Sequence, residues 1–365
     1  MKSDPSPFPK LPSIGELLKH PSVEQIVDRV NQTTIAQRAT GFLEELQTNF
    51  QDRTQQGVVP SIHQIAERLA RRLLGSEQGG SPAINATGVV LGDRWPVAPL
   101  SESALHEMLR FASEYHELEQ ESSEQVVARL IDLTGAESAW VASSFTGAVS
   151  LAETCAEAKV DTVGYVGLVD PAEYGLSHVD TIGDRLATGA DLVIVDGSGL
   201  LGGPSCGIVL GSSELISQLC EHPFAEALSA ARLTLATLDA TLRVYQSEEQ
   251  AMHHIPVLQL LSAPVANLQQ RCERLAPLLE ATDLIAAATP MQCEAIWYDT
   301  STSKISGPSW AIKLQPAQGS VEELSQHLSR ADTPVACREQ QDALWLDLRS
   351  VFPRWDQKLV SALEG

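Results

Sequence analysis

Aromatic side chains are scarce in this chain of 365 residues, at 5% of the total. No apolar run reaches the roughly 18 residues that a membrane-spanning helix needs, so no such helix is expected. The opening MKSDPSPFPKLPS has no apolar core of the kind a secretory leader carries. The six cysteines (Cys155, Cys206, Cys220, Cys272, Cys293, Cys337) form no CxxC pair and no Cys/His spacing, which argues against a zinc site. They read as buried free thiols of a reducing compartment, and a cytoplasmic location is expected. His253-His254 lacks a third neighbouring ligand, so no metal site is expected there either.

Basic residues are also in short supply: 25 Lys and Arg stand against 47 Asp and Glu, a net charge of −22. The deficit is uneven. Residues 1–80 hold nine of each sign, so the whole excess lies beyond them. A body with that charge repels phosphate backbones at long range. Nucleic-acid binding by the main body is therefore not expected, while the neutral N-terminal part stays open to it.

What the chain does have is a run of short apolar stretches punctuated by Gly and Pro and alternating with segments of helical period, the mark of α/β architecture. The central stretch runs from Gly189 to Tyr245. A buried-strand pattern, Ala190 to Val195, leads into a turn holding Gly197, Gly199, Gly202, Gly203 and Pro204. Gly197, Gly199 and Gly202 satisfy GxGxxG. A dinucleotide fingerprint, however, needs a helix to start at its third glycine, where the helix N-terminus holds the pyrophosphate. Here a second strand pattern, Gly207 to Leu210, follows instead, so the turn is expected to join strand to strand.

Around that stretch, Pro-rich residues 1–12 precede a helical module to about Leu74. Ser22-Val23-Glu24-Gln25 and Ser61-Ile62-His63-Gln64 are spaced as capping boxes. Ile62, Ile65, Ala66, Leu69 and Leu73 make an apolar stripe, and Arg68, Arg71 and Arg72 read as its solvated flank. Residues 247–284 have helical period. The C-terminal part alternates strand patterns at 294–298, 310–314, 334–338 and 343–348 with a helix opened by Ser320-Val321-Glu322-Glu323. The division expected is 1–78, a helical module; 79–284, a large domain; and 285–365, an α+β unit.

Leu200-Leu201-Gly202-Gly203-Pro204, Gly207-Ile208-Val209, His222-Pro223, Leu233-Thr234-Leu235-Ala236, Ala240-Thr241-Leu242-Arg243 and Tyr245 resemble, in order and spacing, the bacterial selenocysteine synthases, L-seryl-tRNA(Sec) selenium transferases. So do Ile84-Asn85-Ala86-Thr87-Gly88-Val89-Val90-Leu91, Leu133-Thr134-Gly135-Ala136-Glu137, Val169-Asp170 with Tyr174-Gly175-Leu176, and Leu344-Trp345-Leu346-Asp347-Leu348-Arg349. The resemblance implies a pyridoxal phosphate (PLP) enzyme fold of type I, aspartate-aminotransferase-like. It also implies an N-terminal domain that contacts tRNA, and dimers assembled into rings.

The same comparison marks departures. The family lysine that carries PLP falls at Gly199, and the aspartate before it at Ser198. Three substrate-contacting arginines fall at Val97, Glu226 and Ser229. The loop before Val97 reads Gly92-Asp93-Arg94-Trp95-Pro96, unlike the family's. Ser143, Ser144 and Thr146 stand at the turn under the PLP phosphate, where their hydroxyls could serve either an anion or a helix N-cap. The aspartate under the pyridine ring falls at Thr162, with Asp161 one position away. A segment of strands and helices between residues 150 and 160 is missing, so the large domain is expected to be reduced. A glycine cannot form a covalent bond to PLP, and a carboxylate at an anion contact reverses its sign.

The pattern points to a non-catalytic, selenocysteine-synthase-like protein with no cofactor expected, acting by self-association or by binding a partner such as a genuine selenocysteine synthase. Two other readings stand beside it. One is a PLP-dependent selenium transferase acting on seryl-tRNA; the other is a phosphate- or PLP-like small-molecule binder at Ser143–Thr146.

Overall fold

The computed structural model describes residues 12–21, 23–24, 39–43, 61–73, 83–116, 121–155, 159–163, 166–170, 172, 180–299, 304–331 and 333–364. The box at Ser22–Gln25, the side chains of Arg68, Arg71 and Arg72, and Tyr174-Gly175-Leu176 lie wholly or partly outside them. The chain divides into two compact units: Met1–Ala83 with Asp332–Pro334, and Ile84–Ala331 with Val335–Gly365.

The first unit contains α1 (Ile14–Leu18) and α2 (Ile62–Leu73). At α1, Ser13 and Glu16 close a capping box, satisfying two N-terminal donors reciprocally. Its core joins Leu17, Val23, Ala39 and Phe42 to Ile65, Ala66 and Leu69 of the expected stripe, while Ile62, in the first turn of the helix, is exposed.

The second unit runs β1 (Ile84–Ala86), β2 (Val89–Gly92), α3 (Glu102–Ser113), α4 (Glu121–Thr134), β3 (Ser138–Ala142), α5 (Phe145–Cys155), β4 (Val160–Val163), α6 (Ile182–Ala187), β5 (Leu192–Asp196) and β6 (Gly207–Gly211). Then come α7 (Ser213–Glu221), α8 (Ala225–Leu228), α9 (Arg232–Val244), α10 (Glu248–His254), α11 (Pro256–Ser262), α12 (Val265–Glu280), β7 (Ile285–Asp299), β8 (Lys304–Pro316), α13 (Val321–Ser329), β9 (Val335–Gln340), β10 (Ala343–Asp347) and α14 (Asp356–Glu364).

Four strands form one sheet in the order β3-β6-β5-β4. Side chains alternate between its faces. Leu192, Ile194 and Val209 pack with Ala148, Leu151, Ile216 and Leu219 of α5 and α7. Val193, Val195, Ile208 and Leu210 face the other way, into the cluster holding Leu130, Leu238 and Leu242 of α4 and α9. A sheet buried on both sides needs continuous apolar strands, which is why Leu192–Val195 and Gly207–Leu210 lack the polar alternation of a half-exposed strand. Behind it, Asp239 of α9 accepts from Arg129 of α4 at 3.0 Å and also pairs with Arg243, tying the two helices together.

Six strands form the second sheet in the order β1-β9-β10-β8-β7-β2. β1 pairs in parallel with β9 and β2 in parallel with β7. Residues 84–92 thus close both edges of the C-terminal sheet, which sequence order alone assigned to the large domain; long-range pairing, invisible to local patterning, decides the matter. β7 and β8 make a hairpin longer than the strand patterns indicate. The box at Ser320 and Glu323 is present as expected. Leu344 and Leu346 face the cluster of α12 and α13, and Trp345 is buried with Ala311 and Ala343 on the opposite face.

Arg349, only 1% exposed, links these layers. Its Nη1 donates to the carbonyls of Leu260, Leu261 and Ala263 at the end of α11, and its Nη2 to Pro308 of β8 at 2.7 Å. The four acceptors include carbonyls that a helix C-terminus leaves without intrahelical partners.

All six thiols are free, but not all are buried: Cys206 and Cys272 are, whereas Cys220 on α7 is exposed. Burial pushes Cys206 up to about 12, with Asp196 adding to it, and Cys337 up to about 11. Each unit of upward shift cuts the reactive thiolate about tenfold. Iodoacetamide at about pH 8 should therefore label Cys220 first and leave Cys206 and Cys272 unmodified until the chain is unfolded. Peptide mapping of a labelling time course reads this directly; early modification of Cys206 would contradict the packing described.

Candidate functional site

β3 and β5 each run antiparallel to β6, so they point the same way and end on one edge of the sheet. Ser143–Thr146 follows the end of β3, and Gly197–Gly203 follows the end of β5. Ligands of open α/β sheets bind in crevices outside such strand ends. Gly207 pairs with both Ala142 and Asp196, so the two strand ends flank it about 10 Å apart.

The glycine turn joins β5 to β6, as its strand-to-strand reading requires. Gly197 N–H donates to Cys206 at 2.9 Å, Gly203 N–H to Gly197 at 2.8 Å and Gly202 N–H to Gly199 at 3.0 Å. Gly202 has φ +67°, and a Cβ there would meet Ile255 Cγ2 at 2.5 Å, so both conformation and space demand glycine. Leu200 and Leu201 are buried, and the Tyr245 hydroxyl donates to the Leu201 carbonyl at 2.8 Å. Ser198 is buried with its Oγ donating to Asp196 at 2.8 Å. Gly199 lies inside this packed turn.

Val97 is exposed, and the next residue, Ala98, donates its N–H to Ser198 at 2.9 Å. That bond places the Val97 loop beside the glycine turn. On the other flank, Ser143 N–H donates to Leu228 at 2.6 Å and Ala230 N–H to Val141 at 2.9 Å. Glu226, in the single turn of α8, is exposed. The Ser229 hydroxyl accepts from Trp140 Nε1 at 3.3 Å and donates to Ala225 at 2.9 Å. Ser144 caps α5, accepting from Gly147 N–H at 3.1 Å. Ser143, Ser144 and Thr146 are exposed.

The site residues thus gather on one edge in two groups, Val97 with the glycine turn and Ser143–Thr146 with Leu228–Ser229. Asp161 does not join them. It sits on edge strand β4 and pairs with Arg185 at 3.3 Å, while Thr162 is exposed. Lys159 lies beside Asp191, where β5 begins, with its N–H on Asp191 Oδ2 at 2.7 Å. At about 3.3 Å per residue, β5 separates that end from Gly199 by roughly 20 Å. Gly207 was the feature that local patterning passed over. Its signal was a glycine opening an otherwise apolar strand, which marks close backbone approach.

A sheet covered by helices on both faces, followed by a second, mixed sheet with its own helices, defines an α/β protein. The family model for L-seryl-tRNA selenium transferase matches residues 151–352. The chain belongs to the L-seryl-tRNA selenium transferase family. It is 27% identical to the L-seryl-tRNA(Sec) selenium transferase of Moorella thermoacetica over 467 positions, covering 98% of this chain and 97% of that protein. With only 365 residues here, that relative carries stretches with no counterpart in this chain. The enzyme of the same name from Yersinia pestis (strain Pestoides F) is 36% identical over 220 residues, covering 56% of this chain and 46% of that one. Among solved structures, D-glucosaminate-6-phosphate ammonia-lyase aligns with TM-score 0.49 and 16% identity, covering 84% of this chain and 98% of that one. Pyridoxamine-pyruvate aminotransferase from Mesorhizobium loti aligns with TM-score 0.37 and 12% identity over 78% of this chain and 92% of that one. Among the described residues no helix is long and apolar enough to cross a membrane, and no group of His, Cys, Asp and Glu could hold a metal ion.

Proposed function

We propose that this member of the family does not perform PLP chemistry and acts by associating with copies of itself or with a genuine selenocysteine synthase. The observation that carries the proposal is Gly199, which supplies no amine from within the packed turn where the resemblance puts the cofactor lysine. Lys159 is held at the far end of β5. The remaining groups do not fit the cofactor either. Asp161 is committed to Arg185, Ser144 to its own helix cap, and the Ser143 N–H to Leu228. A PLP enzyme needs an amine to hold and exchange its coenzyme, so no step through PLP is derived for this chain.

Association has its own support. Helix α3 buries only Ala104, and Leu105 and Leu109 stand on one exposed face four residues apart, Leu109 65% exposed. Leu233, on the packed neighbour α9, is exposed as well. Contiguous exposed apolar surface marks association sites, and these leucines are the apolar surface that the proposal uses. The acidic body argues against tRNA as its ligand, leaving the neutral N-terminal module as the only part suited to RNA.

One preparation tests both halves. After incubation with PLP, the protein should show no persistent visible absorbance, and borohydride should leave no pyridoxyl-lysine in the digest. Native mass measurement should give a multiple of the 39.3 kDa chain. A pyridoxyl-lysine would restore the selenium-transferase reading; a lone monomer at cellular concentration would remove association.

A further inference from the structure

Helix α3 carries an apolar arc that the chain's own fold covers only in part. At about 100° per residue, Ala104, Met108 and Phe111 line one strip of that arc. This is the packed side of the helix: Ala104 is buried and the other two are half-buried, with α9 as the neighbour. Leu105, Leu109 and Ala112 line the adjacent strip, about 100° further round, and all three are exposed. The rest of the circumference, with Glu102, His106, Glu107, Arg110 and Ser113, is polar, as a solvated surface requires. A surface helix turns its whole apolar face toward a core, so the bare strip calls for a second neighbour.

The charges of α3 select that neighbour. Two copies of so acidic a body repel one another over most of their surface. On α3 the excess is small, Glu102 and Glu107 standing against Arg110, and the signs are separated along the helix: Glu102 is in the first turn and Arg110 in the last. Arg110 holds Glu107 through Nε at 3.0 Å and Nη2 at 2.6 Å. Its Nη1, and Glu102, make no salt bridge among the described residues. A two-fold axis perpendicular to α3 pairs the helix antiparallel with its copy. With the axis level with residue 107, Leu105 of each copy stands opposite Leu109 of the other. At a rise of about 1.5 Å per residue, Glu102 then lies about 3 Å along the helix from Arg110 of the other copy. Each acidic helix start thus meets a basic helix end, and the two macrodipoles run in opposition.

We propose that two copies of this chain pair antiparallel through the Leu105–Leu109–Ala112 strip of α3. The pairing names the partner and the surface for the association proposed above, and it rests on that reading. A helix of 12 residues is about 18 Å long, so the contact is small and the dimer is reversible, with a Kd in the micromolar range.

Sedimentation equilibrium of the full-length chain over about 1–100 µM should give a monomer–dimer equilibrium. Leu105→Glu and Leu109→Glu, both at exposed positions, should each weaken it about tenfold or more with unchanged circular dichroism. Leu278→Glu, at an exposed leucine of α12, should leave it unchanged. Disulfide trapping reads the register, in a Cys220→Ser background that removes the exposed native thiol. A mixture of Leu105→Cys and Leu109→Cys chains should cross-link faster than either variant alone. A dimer that survives both glutamate variants, or no faster trapping in the mixture, overturns the α3 pairing and leaves association standing. A monomer across the whole range also overturns the pairing. If that monomer then binds an added selenocysteine synthase, association stands with the synthase as partner; if it does not, association falls as well.

Discussion

Replacing Arg349 by alanine should destabilise the second unit by about 3–5 kcal/mol, at the upper end of what single substitutions do. The side chain is fully enclosed, and its two terminal nitrogens serve four carbonyls on two layers, Leu260 and Leu261 in the last turn of α11, Ala263 just after it, and Pro308 on β8. Truncation strands those acceptors away from water, at about 1–3 kcal/mol for each that finds no new partner. It also uncovers the ring of Trp297, which lies 5.7 Å from the guanidinium. Arg349→Lys keeps the charge but has one nitrogen for two forks, so it should recover only part of the loss. Urea denaturation followed by tryptophan fluorescence checks the order wild type, lysine, alanine. An alanine variant within 1 kcal/mol of wild type would mean that the arginine is replaceable by water.

Gly207→Val should be the other severe substitution, because it acts at the point where the crevice is assembled. A Cβ at Gly207 would lie 2.6 Å from Ala148 Cβ, 2.6 Å from the Ser144 carbonyl and 3.0 Å from Phe145 Cα. Two of those three atoms are backbone and cannot turn aside, so helix α5 must move off the sheet. Overpacking of this kind costs about 1–3 kcal/mol, more when backbone must shift. The displaced residues are Ser144 and its neighbours, so the variant should lose the protection of the Ala148 amide, which bonds the Ser144 carbonyl at 3.0 Å. Hydrogen exchange at α5 separates this from a diffuse loss of stability. Gly207→Ala should show the same effect at reduced size, and unchanged exchange in both would sink the argument.

These two positions differ in how visible they were beforehand. Leu344 to Arg349 was recognisable as a family-like stretch, but nothing around Arg349 indicated that its acceptors lie on α11, 86–89 residues earlier in the chain. Strand β1 reads locally as part of the large domain, yet it pairs with β9 across some 250 residues. The glycine turn was legible because its constraints are local: φ, strand spacing and apolar flanks act within a few residues. The helix caps at Ser320 and Ser144 were legible for the same reason. Asp161 shows the limit: it stands one position off the expected register, and only the structure reveals its pairing with Arg185.

By itself, then, the order of residues determined the α/β class, the strand-to-strand turn, the family and the absence of an amine at position 199. Each of these rests on short-range backbone preference or on a side chain that is simply not there. Tertiary structure alone decided that Val97 borders the glycine turn and that Ser143 meets Leu228. Those meetings depend on which strand pairs with which, and pairing energy accrues between segments too distant for any local pattern to specify.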